Sequence, residues 1–437
     1  MWLDDPLPHL RATLEYATAK IPYYRDNPAY QLSPAAIESV ADLQRLPILT
    51  PEDYAAAPER LAVPGLWPDR ISFSSTTTGS LGRPRWHLQR EQDRYAALLR
   101  ASATTPAPED GPVTLVIHPY DQGGAQRPTS DPHTVYSPFL VPWHYEHILQ
   151  LLQEGWRTPA GRRPIDHVDG FSPALRIYST WLAQRGIDPG GFGVLGLIGY
   201  GSIQPAPWRD RLRRSWGATY EDLYGLSEVK HSAAASCPVC GAYHFTGPII
   251  AEVLDPETRA PKQRGFGVLV LTEVYPYAEL QVLLRYWTDD IVELAAPCML
   301  ADLGFRFRGR RSASLALGAQ DATIYVGPLQ VGEVLARSAD VALHTYPWAA
   351  FAYDVGAPRF ALKLDTDRGD GREHVRVDVE LRCSPALFPR RAAAVCTELR
   401  DALLEELSPL AERIDAHATT LEVVAAEPGS LRECAKI

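Results

Sequence analysis

Lysine is scarce in this chain: Lys20, Lys230, Lys262, Lys363 and Lys436 are all there are in 437 residues, the other basic side chains being arginine. Each lysine therefore carries more information than usual. Positive charge is in deficit overall, with 43 Lys and Arg against 53 Asp and Glu and a formal net charge of -10. That balance excludes a general nucleic-acid binder, which needs a cationic footprint against the phosphate backbone. No apolar run approaches the ~20 residues of a membrane-spanning helix. The opening MWLDDPLPHLRATLEYATAK carries acids where a secretory signal carries basic residues, so the chain reads as cytoplasmic with no membrane partner. A disulfide framework is missing too, because of six cysteines only Cys237 and Cys240 are closely spaced.

What is present is an ordinary globular composition, 46% hydrophobic and 22% charged, in a chain long enough for two or three structural units. A helix is expected from about Leu7 to Lys20, followed from Ser33 to Arg60 by short helical pieces punctuated at Pro47, Pro51 and Pro58. GPVTLVIHPY reads as a buried strand, SPFLVPWHYEHILQLLQEG as a loop and a helix stopped by Gly155, and ALRIYSTWLAQRG as another helix. VLGLIGYGS reads as a strand, WRDRLRRSWG as a basic amphipathic helix and YEDLYGLSE as a strand and turn. This alternation predicts a mostly parallel α/β sheet.

From Ile249 the pattern changes: IIAEVLD, GFGVLVLTEV and QVLLRYWTDDIVEL predict an antiparallel or barrel-like, β-rich subdomain. After FRFRGRR, the segments GPLQVGEVLARS, ALHTYPWAAFAYD, RFALKLDT, HVRVDVELRC, AAAVCTELRDALLEEL and TTLEVVAA read as a small α+β unit. The boundary is placed near Arg310, giving units 1–309 and 310–437.

CPVCGAYHF sets Cys237, Cys240 and His244 at metal-ligand spacing, with Cys298 as the available fourth soft ligand. Such a closed site is structural; the bland alternative is reduced thiols beside a surface histidine. SSTTTGSLGRPRWHL, Ser74 to Leu88, lacks the Gly-Lys-Ser/Thr of a Walker A loop. A hydroxyl- and glycine-rich turn after a strand can still wrap N–H groups around phosphate oxygens, with Arg83 as charge partner, or it can be a plain turn. Glu228 in YGLSE could hold a hard cation if a nucleotide lies nearby, and Asp290 in YWTDDI could grip ribose hydroxyls.

In order and spacing these motifs resemble the adenylate-forming superfamily, in particular its phenylacetate–CoA ligase branch. TTGSLGRP is similar to the family's phosphate loop, YGLSE to its Mg²⁺ and adenylate motif, RYWTDDI to its ribose-aspartate segment, FRFRGRR to its interdomain hinge and PGSLRECAK to the motif delivering its catalytic lysine. IPYYRD…LQRLPILTPEDY and the Cys/His cluster, a structural Zn²⁺ site, also resemble this branch.

The resemblance implies a large N-terminal AMP-binding domain, with parallel sheets and a β-rich subdomain, and a small mobile α+β C-terminal domain. It also implies adenylation of an acid by Mg·ATP and transfer to CoA, with AMP and pyrophosphate released. Lys436, Glu228 and Arg310 would then be catalytic. Thr77, Thr78, Gly79, Ser80, Gly82 and Arg83 would cradle phosphates. Gly201, Ser202, Tyr224, Gly225 and Ser227 would line the adenylate site, and Asp290 would hold the ribose.

An aromatic acid is the expected small-molecule substrate, in a pocket drawing on Tyr136, Phe139, Trp143, His144 and Tyr145. The resemblance admits a homodimer. Departures from the pattern are Leu81 and Arg83 in the loop, Ser312 at the hinge and LALGAQD, which carries no positive charge. They keep a second outcome open: the same adenylation with an amine, carrier thiol or cofactor hydroxyl as acceptor, or activation of nitrite. A silent zinc-stabilised binding protein is a third reading, opposed by the intact Glu228, Asp290 and Lys436.

Overall fold

A computed structural model describes residues 5–73, 83–102, 111–118, 133–158, 161–299, 303–318, 323–346, 349–366 and 371–431. The first helix, α1 (Pro6–Lys20), starts where the Asp5 carboxylate accepts from the Leu7 N–H at 3.0 Å and proline occupies the first turn, where its missing N–H is harmless. Of its buried face, Leu10, Thr13, Leu14 and Ala17, the three apolar residues belong to one core cluster. Strands Arg70–Phe73 and Pro84–His87 pair antiparallel, and α2 (Gln89–Ser102) follows them.

The main sheet runs through β1 (Thr114–His118), β2 (Thr134–Pro138), β3 (His167–Phe171), β4 (Gly196–Tyr200), β5 (Thr219–Tyr224), β6 (Ala234–Ser236), β7 (Tyr243–Phe245), β8 (Ile249–Leu254), β9 (Gly265–Glu273), β10 (Tyr286–Leu294) and β11 (Phe305–Arg310). Among the described residues it has 11 strands, in the order β8-β9-β10-β11-β7-β6-β5-β4-β3-β1-β2. From β2 to β5 every pairing is parallel, as the alternating pattern predicts. Helices α3 (Pro142–Glu154), α4 (Ser172–Gln184) and α5 (Ala206–Trp216) cover one face of this half and share its core with Val168, Leu197 and Tyr220.

The antiparallel strands β8 to β11 do not close into a separate barrel. The short ribbon β6–β7 joins them to the parallel half: β6 pairs with β5, and β7 meets β11 through the residue pair Tyr243 and Phe305. One continuous sheet results.

Beyond Arg310, α6 (Pro328–Leu335), β12 (Phe360–Asp365), β13 (Glu373–Glu380), α7 (Pro389–Glu406), α8 (Ser408–Asp415) and β14 (Thr419–Ala426) build a three-stranded sheet with its own core of Val334, Val377, Val395, Leu399 and Leu421. One stretch leaves this unit. The segment around ALHTYPWAAFAYD forms neither helix nor extended strand: Leu343 and Pro358 bridge its base, where His344 N–H donates to the Ala357 carbonyl at 2.8 Å. From there it reaches out as an arm whose Tyr346, Phe351, Tyr353 and Val355 pack on the core beneath α3 and α4. Phe351 meets Tyr145 edge-on at 5.0 Å, and the buried Arg176 of α4 donates to the Tyr346 hydroxyl at 3.3 Å. No helix among the described residues is long and apolar enough to cross a membrane.

Candidate active site and metal centre

Tyr224 ends β5 at the carboxyl edge of the parallel strands, the edge where open α/β sheets receive ligands. Its hydroxyl donates to Asp290 Oδ2 at 2.6 Å, and Arg310 Nε lies 3.0 Å from Asp290 Oδ1 while its Nη1 donates to the Thr288 carbonyl at 3.0 Å. Asp290 and Arg310 are cross-strand partners on β10 and β11. Next to them Asp289 takes a left-handed backbone conformation, φ 64°, and turns to Arg311 at 3.0 Å and the Ser312 N–H at 3.2 Å. The kink separates the two acids of TDDI, one outward and one inward. Asp290 is 1% exposed, and burial pushes its carboxyl up to about 6, against the opposing pull of Arg310 and the Tyr224 hydrogen bond.

The YGLSE turn is closed by Ser232, whose hydroxyl accepts from the Leu226 N–H at 2.9 Å. Gly225 and Ser227 are exposed, whereas Glu228 is buried and pairs with Arg83 at 3.2 Å. Gly201, φ 78°, turns the chain off the end of β4, next to β5, and the Ser202 hydroxyl is buried with no partner among the described residues. The fold thus gathers Tyr224, Asp290 and Arg310 in direct contact, and Arg83 with Glu228. Thr77, Thr78, Gly79, Ser80, Gly82 and Lys436 lie outside the described residues.

The five aromatic-pocket residues are not brought together. Phe139 and Tyr145 are wholly buried, their rings stacked at 4.2 Å within the core under α3 and α4. Trp143 is 63% exposed and Tyr136 42%. His144 caps α3, its Nδ1 accepting from the N–H groups of Leu140 and Val141 at 3.1 and 3.2 Å. On the opposite face of the sheet, strand register aligns Tyr136, Val116, Asp169, Ile198 and Glu221 in one row. Sequence reasoning passed over Asp169 and Glu221, which carry no motif.

Burial, with Glu221 as a second contributor, pushes the Asp169 carboxyl up to about 7, and its Oδ1 is buried without a partner among the described residues. Because the folded value lies above the ordinary 3.8, the native state prefers the protonated form. Stability associated with this group is therefore present below about pH 4 and lost as pH rises to about 7, with a ceiling of about 4 kcal/mol. Asp169→Asn should raise the melting temperature more at pH 8 than at pH 4.5. Equal increments at the two pH values would show that ionising Asp169 carries no penalty.

Cys237, Cys240, His244 and Cys298 place one ligand atom each within 4.8 Å of one another. The Cys237 and Cys298 sulfurs are 4.0 Å apart, and Cys240 Sγ is 3.2 Å from His244 Nε2. Tetrahedral Zn²⁺ with bonds of about 2.3 Å to sulfur and 2.0–2.1 Å to nitrogen separates its ligands by about 3.5–3.8 Å. The donor set therefore fits that ion. His244 Nδ1 lies 2.8 Å from the Leu303 carbonyl, which as acceptor fixes the tautomer that presents Nε2. The Cys237 thiol is held down at about 7, chiefly by the Cys240 backbone N–H, as thiolate ligation needs.

No protein-family model matches this chain, and no curated protein matches it. Solved structures do. A 2-hydroxyisobutyryl-CoA ligase in an open conformation, in complex with 2-HIB-AMP and CoA, aligns with a TM-score of 0.65 at 17% identity over 99% of this chain and 89% of that one. The same ligase in a postadenylation state gives 0.62 at 18% identity over 99% and 87%. A benzoate CoA ligase from Burkholderia xenovorans LB400 gives 0.52 at 15% identity over 86% and 69%. Identities this low establish architecture, while activity has to be argued from the site. The chain has the fold that these acid–CoA ligases share.

Proposed function

We propose that the protein activates a carboxylic acid with Mg·ATP and transfers the acyl group to CoA. In the first step the carboxylate oxygen attacks the α-phosphorus and pyrophosphate leaves; in the second a thiolate sulfur attacks the acyl carbonyl and AMP leaves. The observation that carries this reading is the contact of Tyr224, Asp290 and Arg310, next in the fold to the Arg83–Glu228 pair. The first group offers a carboxylate to ribose hydroxyls and an aromatic ring to adenine. The second offers a cation to β- and γ-phosphates and a carboxylate to Mg²⁺, which supplies charge neutralisation on the transferring centre.

In this reading residues 1–309 form the AMP-binding domain and 310–437 the mobile one, Thr77 to Gly82 complete the phosphate cradle, and Lys436 reaches the α-phosphate. Cys237, Cys240, His244 and Cys298 hold a structural Zn²⁺. ATP–pyrophosphate exchange over a panel of aromatic and small hydroxylated acids, followed by thioester analysis with CoA, tests the proposal. Exchange and thioester with one acid class are expected; no exchange with any acid overturns it.

The arm favours a second reading, in which the adenylate is made but passed to an acceptor other than CoA. It straps the C-terminal unit to the AMP-binding core through Phe351 and Tyr346, at a hinge where Ser312 stands in place of the family's aspartate. On this reading wild-type protein forms thioester far more slowly than it exchanges pyrophosphate. Phe351→Ala should then raise thioester formation about tenfold for ~1.4 kcal/mol of lost packing and leave exchange unchanged. Unchanged thioester formation in that variant removes the arm as the restraint.

A further inference from the structure

Lys230 is one of five lysines, and no role above has used it. It is 6% exposed and sits two residues after Glu228, just as the wholly buried Arg85 sits two residues after Arg83. Its ammonium is held by both oxygens of Glu91, at 2.7 and 2.6 Å. Its backbone N–H donates at 2.6 Å to Glu273 Oε1, the same oxygen that Arg85 contacts. Arg85 also donates to the Gln281 carbonyl at 3.0 Å, and Glu273 Oε2 accepts from the Leu283 N–H at 2.8 Å. Glu91 accepts from the backbone N–H groups of Leu88, Glu279 and Leu280 at 2.8, 2.6 and 2.9 Å.

Two cations and two anions are thus buried together. Each ion costs several kcal/mol to desolvate, and an apolar set of similar volume would serve stability at least as well. What the ions do that an apolar cluster cannot is fix direction: the strand that Arg83 leads into, through Arg85, and the turn that carries Glu228, through the Lys230 N–H, both end on the Glu273 carboxylate. We propose that Lys230, Glu91, Arg85 and Glu273 are positioning residues that set Arg83 and Glu228 at the spacing needed to hold the β- and γ-phosphates of Mg·ATP. The inference rests on the nucleotide site argued above.

The double variant Lys230→Met/Glu91→Leu tests it, because removing both partners leaves no lone buried charge from the pair. Calorimetric Kd values for Mg·ATP and for AMP are the readout. AMP relies on the Tyr224–Asp290 side and lacks the terminal phosphates, so its Kd should change less than twofold while that for Mg·ATP rises at least tenfold. A purely structural role would weaken both nucleotides alike, and that result, or wild-type affinity for both, overturns the proposal. Should the double variant not fold, Lys230→Arg, which keeps the charge, is measured in the same way and read by the same ratio. Wild-type protein that binds both nucleotides but catalyses no exchange would overturn the adenylation reading and leave this ratio to be read; wild-type protein that binds neither overturns both.

Discussion

Lys436→Ala is expected to lower acyl-adenylate formation by about 10²–10³-fold, the usual loss when one charge-stabilising group is removed from a transfer site. The described cations near the site are already engaged. Arg83 faces Glu228, Arg310 faces Asp290 and the Thr288 carbonyl, and Lys230 is buried against Glu91. On the proposed reading the cation for the α-phosphate and the incoming carboxylate comes from the terminal PGSLRECAK, the segment that the resemblance supplies. Single-turnover formation of acyl-adenylate is the measurement, with zinc content as control. Zinc should stay at the wild-type level, and unaltered adenylation would take Lys436 out of the mechanism.

On the proposal that Cys237, Cys240, His244 and Cys298 hold Zn²⁺, removing that ion should have the larger effect on stability. The ribbon β6–β7 is where the parallel and antiparallel halves of the sheet join, and two of the four candidate ligands, Cys237 and Cys240, lie between the two ribbon strands, with His244 on the second. Zinc binding contributes about 10–16 kcal/mol to the folding of isolated zinc-finger peptides. Even a few kcal/mol lost here would lower the melting temperature by about 5 °C.

A second consequence separates this site from an ordinary stabilising one. Tyr224 lies on β5 and Asp290 on β10, on opposite sides of the ribbon, so their 2.6 Å hydrogen bond depends on the junction. Cys240→Ser or strong chelation should therefore abolish zinc in mass spectrometry, lower the melting temperature and weaken AMP binding together. Zinc-free protein with wild-type affinity for AMP would show that the ribbon does not align the two halves.

Local signals carried much of this into the sequence. YGLSE, the CPVC turn and the strand–helix alternation are short-range patterns; the structure puts Tyr224 at the end of a strand, Glu228 in the turn after it, and the ligand atoms of Cys237, Cys240, His244 and Cys298 within 4.8 Å of one another. Contacts that join distant segments left no local trace. Tyr224 and Asp290 are 66 residues apart, and Lys230 and Glu91 are 139. Phe139 and Tyr145 show a different limit, since an aromatic ring in a core and one in a pocket look alike along the chain. Likewise ALHTYPWAAFAYD lies within the small unit in chain order, but its Tyr346, Phe351 and Tyr353 rings pack on the other core.

That arm turns a question of geometry into one of populations. Two partly buried rings, Phe351 and Tyr346, contribute ~1.5 kcal/mol each at the usual rate for apolar burial, or ~3 kcal/mol together. Such a bias leaves the undocked arrangement at roughly one molecule in 150. A step that needs the C-terminal unit elsewhere then runs at under about one per cent of its unrestrained rate, unless a bound ligand repays the difference. On the proposed two-step reading, the strap makes acyl transfer a matter of which acceptor binds tightly enough to release it.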